Sequence, residues 1–193
     1  MKQTPQTIIN FWTNEVGPKG WYEANPKVDT EIINRFLDSY EAAVNGTLDD
    51  WRATGQGSLA LLLLLDQFSR NMFRGDAKSF AADKMAIEIA RNAIANDLDL
   101  DIKGAEQQFF YLPFTHSETM DDQDFGVEMI RARSISNTDD ALHARAHRQI
   151  IKTFGRFPFR NQALGRTSSD QELTFMENGG YGTIVKALQA SDQ

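Results

Sequence analysis

The sequence predicts an all-α protein folded as a single domain of eight or nine helices over residues 1–193. Two observations carry this. Apolar residues recur at i, i+3, i+4 and i+7 along most of the chain while no segment alternates with the period of a strand, and helix start and stop residues punctuate it at short intervals. No low-complexity segment or interdomain linker interrupts the pattern, and no repeat signature of the Trp, Leu-Gly, Tyr kind stands out.

The elements follow in order. Thr4 before Pro5 opens a short first helix through Trp12, and Gly17-Pro18 breaks the chain before Trp21. Ile33, Phe36, Leu37, Tyr40 and Val44 line one face of a second helix, with Asp29 as the expected N-cap and Gly46 as the stop. Ser58 opens a third, apolar on every side from Leu59 to Leu65, as befits a helix at the centre of a core. A fourth spans about Ser79 to Asn96 with Phe80, Ala86, Ile87, Ala90 and Ile94 inward. A shorter one covers about Gly104 to Leu112 and is ended by Pro113. The next runs from about Thr119 to Arg133. Asp139 or Asp140 caps a helix through Leu142, Ala146, Ile150 and Phe154, stopped by Gly155 and Pro158. Ser169 with Glu172 fits a capping box leading a helix through Met176, and Gly179-Gly180 precedes a last one near Ile184 to Gln189.

Composition narrows the function. The 193 residues carry 27 acids against 20 lysines and arginines, a net charge of -7, which argues against nucleic acid as partner because phosphate binding needs a basic surface. The absence of cysteine excludes disulfides and thiolate chemistry. The longest apolar run, Leu59 to Leu65, is far short of the roughly 20 residues that span a bilayer. The residues after Met1 and Lys2 lack the apolar core of a signal peptide, so a cytoplasmic location is expected. Against the acidic background, Phe154 to Arg166 holds three arginines and no acid.

Three segments carry the polar chemistry. The third helix ends with Asp66 one turn from Arg70 and with Gln67, Asn71 and Arg74 in a second polar row, which makes either internal ion pairs or one wall of a site. In Phe154 to Arg166, Arg156, Arg160 and Arg166 alternate with aromatics beside Asn161. Guanidinium forks match carboxylate or phosphate at two points, so these arginines can cradle a small anion or neutralise the chain's own acids. Between the two, His116 and Glu118 follow Pro113 and are the expected acid-base pair. His143 and His147 stand at i, i+4, but no acid of the His-Glu-x-x-His kind lies between them, and no metal site is expected. No motif names a cofactor.

Taken in order, Phe11-Trp12, Trp21, Leu65-Asp66-Gln67-Phe68 with Arg70-Asn71 and Phe73-Arg74, Tyr111-Leu112-Pro113 with His116-Ser117-Glu118, and Phe154-Gly155-Arg156-Phe157-Pro158 with Arg160-Asn161 closely resemble the bacterial family called domain of unknown function 924. The resemblance covers nearly the whole chain. It implies membership of the tetratricopeptide-like superfamily, with antiparallel helix pairs in a right-handed array, and it implies no established activity. The family's motifs take in Asp66, Gln67, Arg70, Asn71, Arg74, Asp83, His116, Glu118, Gln123, His147, Arg156, Arg160, Asn161 and Arg166, but not His143. Phe159 stands where the family usually has histidine, which puts any role of that histidine in doubt here.

Two functions from different classes follow. The first is a cleft that binds a small anionic metabolite through the arginines and Asn161, with acid-base chemistry by His116 and Glu118. The second is a protein-interaction module whose polar motifs are structural clasps and whose anchors are Phe11, Trp12, Trp21 and Trp51.

Overall fold

The computed structural model describes residues 3–133 and 138–192, without the side chains of Thr138 and Asp139. The described residues form helices and turns, with no strand among them. The chain divides into two compact units, residues 1–113 and residues 114–193.

In the first unit, α1 (Pro5–Asn10) is capped by the Thr4 side chain, as its sequence predicts, and runs into a wider π-helical turn, Phe11–Val16. A four-residue helix, α2 (Gly17–Gly20), follows. The long α3 (Pro26–Val44) begins earlier than the expected cap at Asp29. Asn25 takes that role, its side chain accepting the Lys27 amide at 3.0 Å, and Asp29 lies in the first turn instead. The buried face is also rotated from the expected one: Ile32, Phe36, Tyr40 and Ala43 are inside, whereas Ile33 and Val44 are exposed. With Ile32 and Ile33 adjacent, spacing alone selects either stripe.

The apolar helix is the centre of this unit. Its first part, α4 (Gly55–Leu62), is capped by Thr54, whose hydroxyl accepts the Gly57 amide at 3.1 Å. A second π-helical turn, Leu63–Phe68, follows, and then α5 (Ser69–Met72). Every residue from Leu59 to Leu65 is buried. Around it Phe11, Phe36 and Phe68 pack edge to face or tilted, Trp12 meets both Phe68 and Phe109, and Trp21 donates its indole N–H to the Trp12 carbonyl at 2.8 Å. Such rings combine large buried area with a preferred geometry. The expected fourth helix is shorter at its start: a separate turn, Ala77–Phe80, precedes α6 (Asp83–Ala95).

Around the unit boundary the expected helix from Gly104 to Leu112 is a 3-10 segment, Ala105–Phe110. Pro113 does not end it. It sits at the second position of the next short helix, α7 (Leu112–Thr115), where a missing backbone donor costs nothing.

The second unit contains α8 (Met120–Arg133) and α9 (Thr138–Phe154), which pack against each other. The expected cap at Asp139 falls outside the described side chains, and Asp140 lies inside the first turn. Gly155, at φ +68°, ends α9 in the left-handed region that favours glycine. The Ser169–Glu172 capping box is present at the head of α10 (Asp170–Glu177), and α11 (Gly180–Ser191) packs on α9. Ile150, Ile151 and Phe157 form one buried cluster of this unit, with Met120, Phe154, Phe175, Tyr181 and Ile184 against it.

Candidate functional site

The polar residues at the end of the central helix bind one another, α3 and α6. Asp66, almost wholly buried, accepts from Gln67 Nε2 at 2.5 Å and lies 3.2 Å from the Arg70 guanidinium. Arg70 also donates to the Asp66 backbone carbonyl at 2.5 Å and reaches Asp83 at 3.1 Å. The second row closes on Asp29: Asn71 donates to it at 2.7 Å, and Arg74 grips both its oxygens at 2.9 Å. Burial pushes the Asp29 carboxyl up, but the bonds from Arg74 and Asn71 outweigh it and hold it below its ordinary range. Both rows therefore make ion pairs within the first unit, and Asp29 was missed because sequence shows it only as a cap.

In the second unit two more arginines are clasps. Arg166 takes both oxygens of Glu118, at 3.0 and 2.8 Å, and the Phe157 amide donates to the same carboxylate at 2.9 Å. Burial raises the Glu118 carboxyl, but Arg166, the Phe157 amide and the charge of Arg160 hold it lower, so Glu118 is an anion near neutrality. Arg156 forks onto Glu172 at 2.7 and 2.8 Å and donates to the Thr167 carbonyl at 2.9 Å. Glu172 also receives the Ser169 amide at 2.7 Å, closing the capping box. Arg156 first, then that amide, draw the Glu172 carboxyl down to about 2 against the effect of desolvation. Its cap position is legible in the sequence, whereas its partnership with Arg156 is a tertiary contact. Asn161, 2 % exposed, donates to the Ser168 hydroxyl at 3.0 Å, and its Oδ1 has no hydrogen-bond partner among the described residues.

His116, His147 and Arg160 make a different arrangement. The His116 and His147 rings lie with centroids 5.9 Å apart. His147 is wedged edge-on between Phe157 and Tyr181, at 5.4 and 5.1 Å, while the Arg160 guanidinium lies over the Phe157 ring at 4.5 Å. Arg160 itself is buried. His147 Nδ1 lies 2.8 Å from the Thr115 carbonyl oxygen, and since that oxygen only accepts, Nδ1 carries the proton. Desolvation, followed by the charge of His116, drives His147 down to about 3, so it is neutral at physiological pH. Its Nε2 is consequently a lone pair. The imidazole is set deep among protein atoms, although the residue as a whole is only half-buried.

The segment bearing His116 is held by α8. Gln123, fully buried, donates through Nε2 to the carbonyls on either side of that histidine, Thr115 at 2.8 Å and Ser117 at 2.7 Å. Gly126 lets α8 come this close, since a Cβ there would lie 3.0 Å from Phe114 Cβ and 3.4 Å from Thr115 Cγ2. His143 and Tyr181 add a bond of 2.5 Å at the edge of the cluster, and burial pushes the Tyr181 phenol up to about 12, so it keeps its proton. Phe159, exposed at 43 %, stacks on Phe157 at 5.1 Å, in place of the histidine expected from the family pattern.

These features define a helical protein whose second unit sets one imidazole and a guanidinium on a phenylalanine ring, with a second imidazole beside the first. The chain belongs to the family described as bacterial protein of unknown function (DUF924), whose model matches residues 8–180. It is similar in structure to ATU0120, a protein of unknown function from Agrobacterium tumefaciens, with a TM-score of 0.85 and 36% identity over 90% of this chain and 97% of that one. Among curated proteins it is similar to dimethylsulfoniopropionate lyase DddQ of Ruegeria pomeroyi, 24% identical over 163 residues, 84% of this chain and 75% of that protein. Among the described residues no helix is long and apolar enough to cross a membrane.

Proposed function

We propose that the second unit binds a small carboxylate at the His116–His147–Arg160 cluster, with the imidazoles as its proton-transfer groups. The observation that carries this is His147: a neutral imidazole, its Nδ1–H fixed on the Thr115 carbonyl and its Nε2 left as a base. A planar guanidinium is the natural partner of a carboxylate, and Arg160 brings one to the same ring that His147 packs on. The polar residues of the first unit, with Arg156 and Arg166, act as clasps in this reading. Glu118 anchors Arg166 rather than assisting His116. The name of the Ruegeria relative supplies a first ligand, dimethylsulfoniopropionate, which is itself a small carboxylate.

The interaction-module reading has less support, because Phe11, Trp12 and Trp21 are spent on the core.

Thermal unfolding with dimethylsulfoniopropionate, acrylate, acetate and inorganic phosphate tests the reading. A ligand at about 100 times its dissociation constant stabilises by about 2.7 kcal/mol. A carboxylate should raise the midpoint in the native protein and fail to do so in folded Arg160→Ala, while His147→Gln keeps a smaller shift. No shift from any carboxylate, or a full shift kept in Arg160→Ala, removes the site from this cluster.

A further inference from the structure

We infer that this site takes up its carboxylate together with one proton, which lodges on His147 Nε2. The inference rests on the reading above and adds to it a direction of pH control. It starts from geometry. His147 has one nitrogen committed to the Thr115 carbonyl, so any proton gained must go to Nε2, and Nε2 lies on a ring wedged between Phe157 and Tyr181.

The Thr115 carbonyl favours a proton on this imidazole, but burial and the neighbouring charges outweigh it while the site is empty. Burial opposes the charge, and His116, Arg160 and, on the same helix, His143 oppose it electrostatically. Tyr181, from α11, stays a neutral phenol. Glu118, the nearby acid of the loop after α7, is held by Arg166 and the Phe157 amide. An incoming carboxylate reverses the balance, because an opposite charge within about 4–6 Å favours the protonated imidazole. The step is a transfer of a solvent proton to the Nε2 lone pair, with no bond of the ligand broken. The protonated nitrogen then donates to the carboxylate that called it in, beside the Arg160 fork.

Carboxylate affinity should therefore rise as pH falls over the range in which His147 is neutral when free and protonated when occupied, approaching tenfold per pH unit. The experiment is calorimetric titration of the full chain with dimethylsulfoniopropionate between about pH 4.5 and 7, in buffers of different ionisation enthalpy, to count protons taken up. Uptake approaching one proton at the acid end, with binding but no uptake in His147→Gln, supports the inference. NMR of the native protein labelled with nitrogen in histidine gives a reading independent of the variant's folding: His147 should carry hydrogen on Nδ1 alone when free and on both nitrogens when occupied. Binding with no proton uptake, or uptake that persists in His147→Gln, or an unchanged His147 signature, overturns the inference and leaves the carboxylate site standing. No binding in native protein overturns both.

Discussion

Gln123 and His147 donate to one and the same carbonyl oxygen, that of Thr115, each at 2.8 Å. One comes from α8 and the other from α9, so two helices fix the peptide immediately before His116. Gln123 adds a second bond to Ser117, just after it.

Gln123→Leu keeps the side-chain volume but leaves the Ser117 carbonyl buried without that donor. The expected cost is about 1–3 kcal/mol, measured by urea unfolding. Since His116 loses its brace, carboxylate affinity should fall further than in a distant variant of equal stability. Equal affinity in Gln123→Leu and the native protein would separate Gln123 from the site.

Arg166→Ala and Glu118→Gln should each destabilise by about 1–3 kcal/mol, between the values for exposed and buried pairs. In a double-mutant cycle the two should be strongly non-additive, because both sever the same two-point contact. Simple addition would mean that the ion pair contributes nothing of its own.

Acid should weaken the fold in two stages. His147 is depressed from 6.5 to about 3, so its contribution is complete above the unfolded value and is lost as pH falls from about 6.5 toward 3. In that window the unfolded chain binds the extra proton, and the slope approaches 1.4 kcal/mol per pH unit. Glu172 follows: depressed from 4.5 to about 2, its contribution is present above 4.5 and is lost below it. Urea midpoints against pH should show the first slope vanish in His147→Gln and the second flatten in Glu172→Gln.

Phe159→His returns the residue expected from the family pattern. The lost stacking on Phe157 is worth about 0.5–1.5 kcal/mol, so the variant should stay folded with a modest fall in thermal midpoint. A collapse of the fold would show that the exposed ring is a core element after all.

Most helices were legible in the sequence because capping and periodicity are local. Thr4, the Ser169–Glu172 box and the all-round apolar run from Leu59 sufficed for three of them. Pro113 misled because the same residue both ends helices and begins them. The residue types of the site were also legible, but their partners were not. Nothing near Arg74 announces Asp29, and nothing near Arg156 announces Glu172, since those pairs are made by chain segments far apart in sequence. The one sign that pointed correctly was a count: acids exceed bases, so an arginine in this chain finds a carboxylate of its own readily.

The π-helical turn at Leu63–Phe68 gives the central helix one residue more than an α-helix of the same rise would hold. Deleting a single leucine there would let the backbone relax into an uninterrupted ladder of the same rise, with the side chains beyond it left in phase. Arg70, Asn71 and Arg74 would then still face Asp83 and Asp29. The extra residue is absorbed within its own turn, so a chain shortened by one leucine there would lose a side chain from the core and keep its downstream ion pairs.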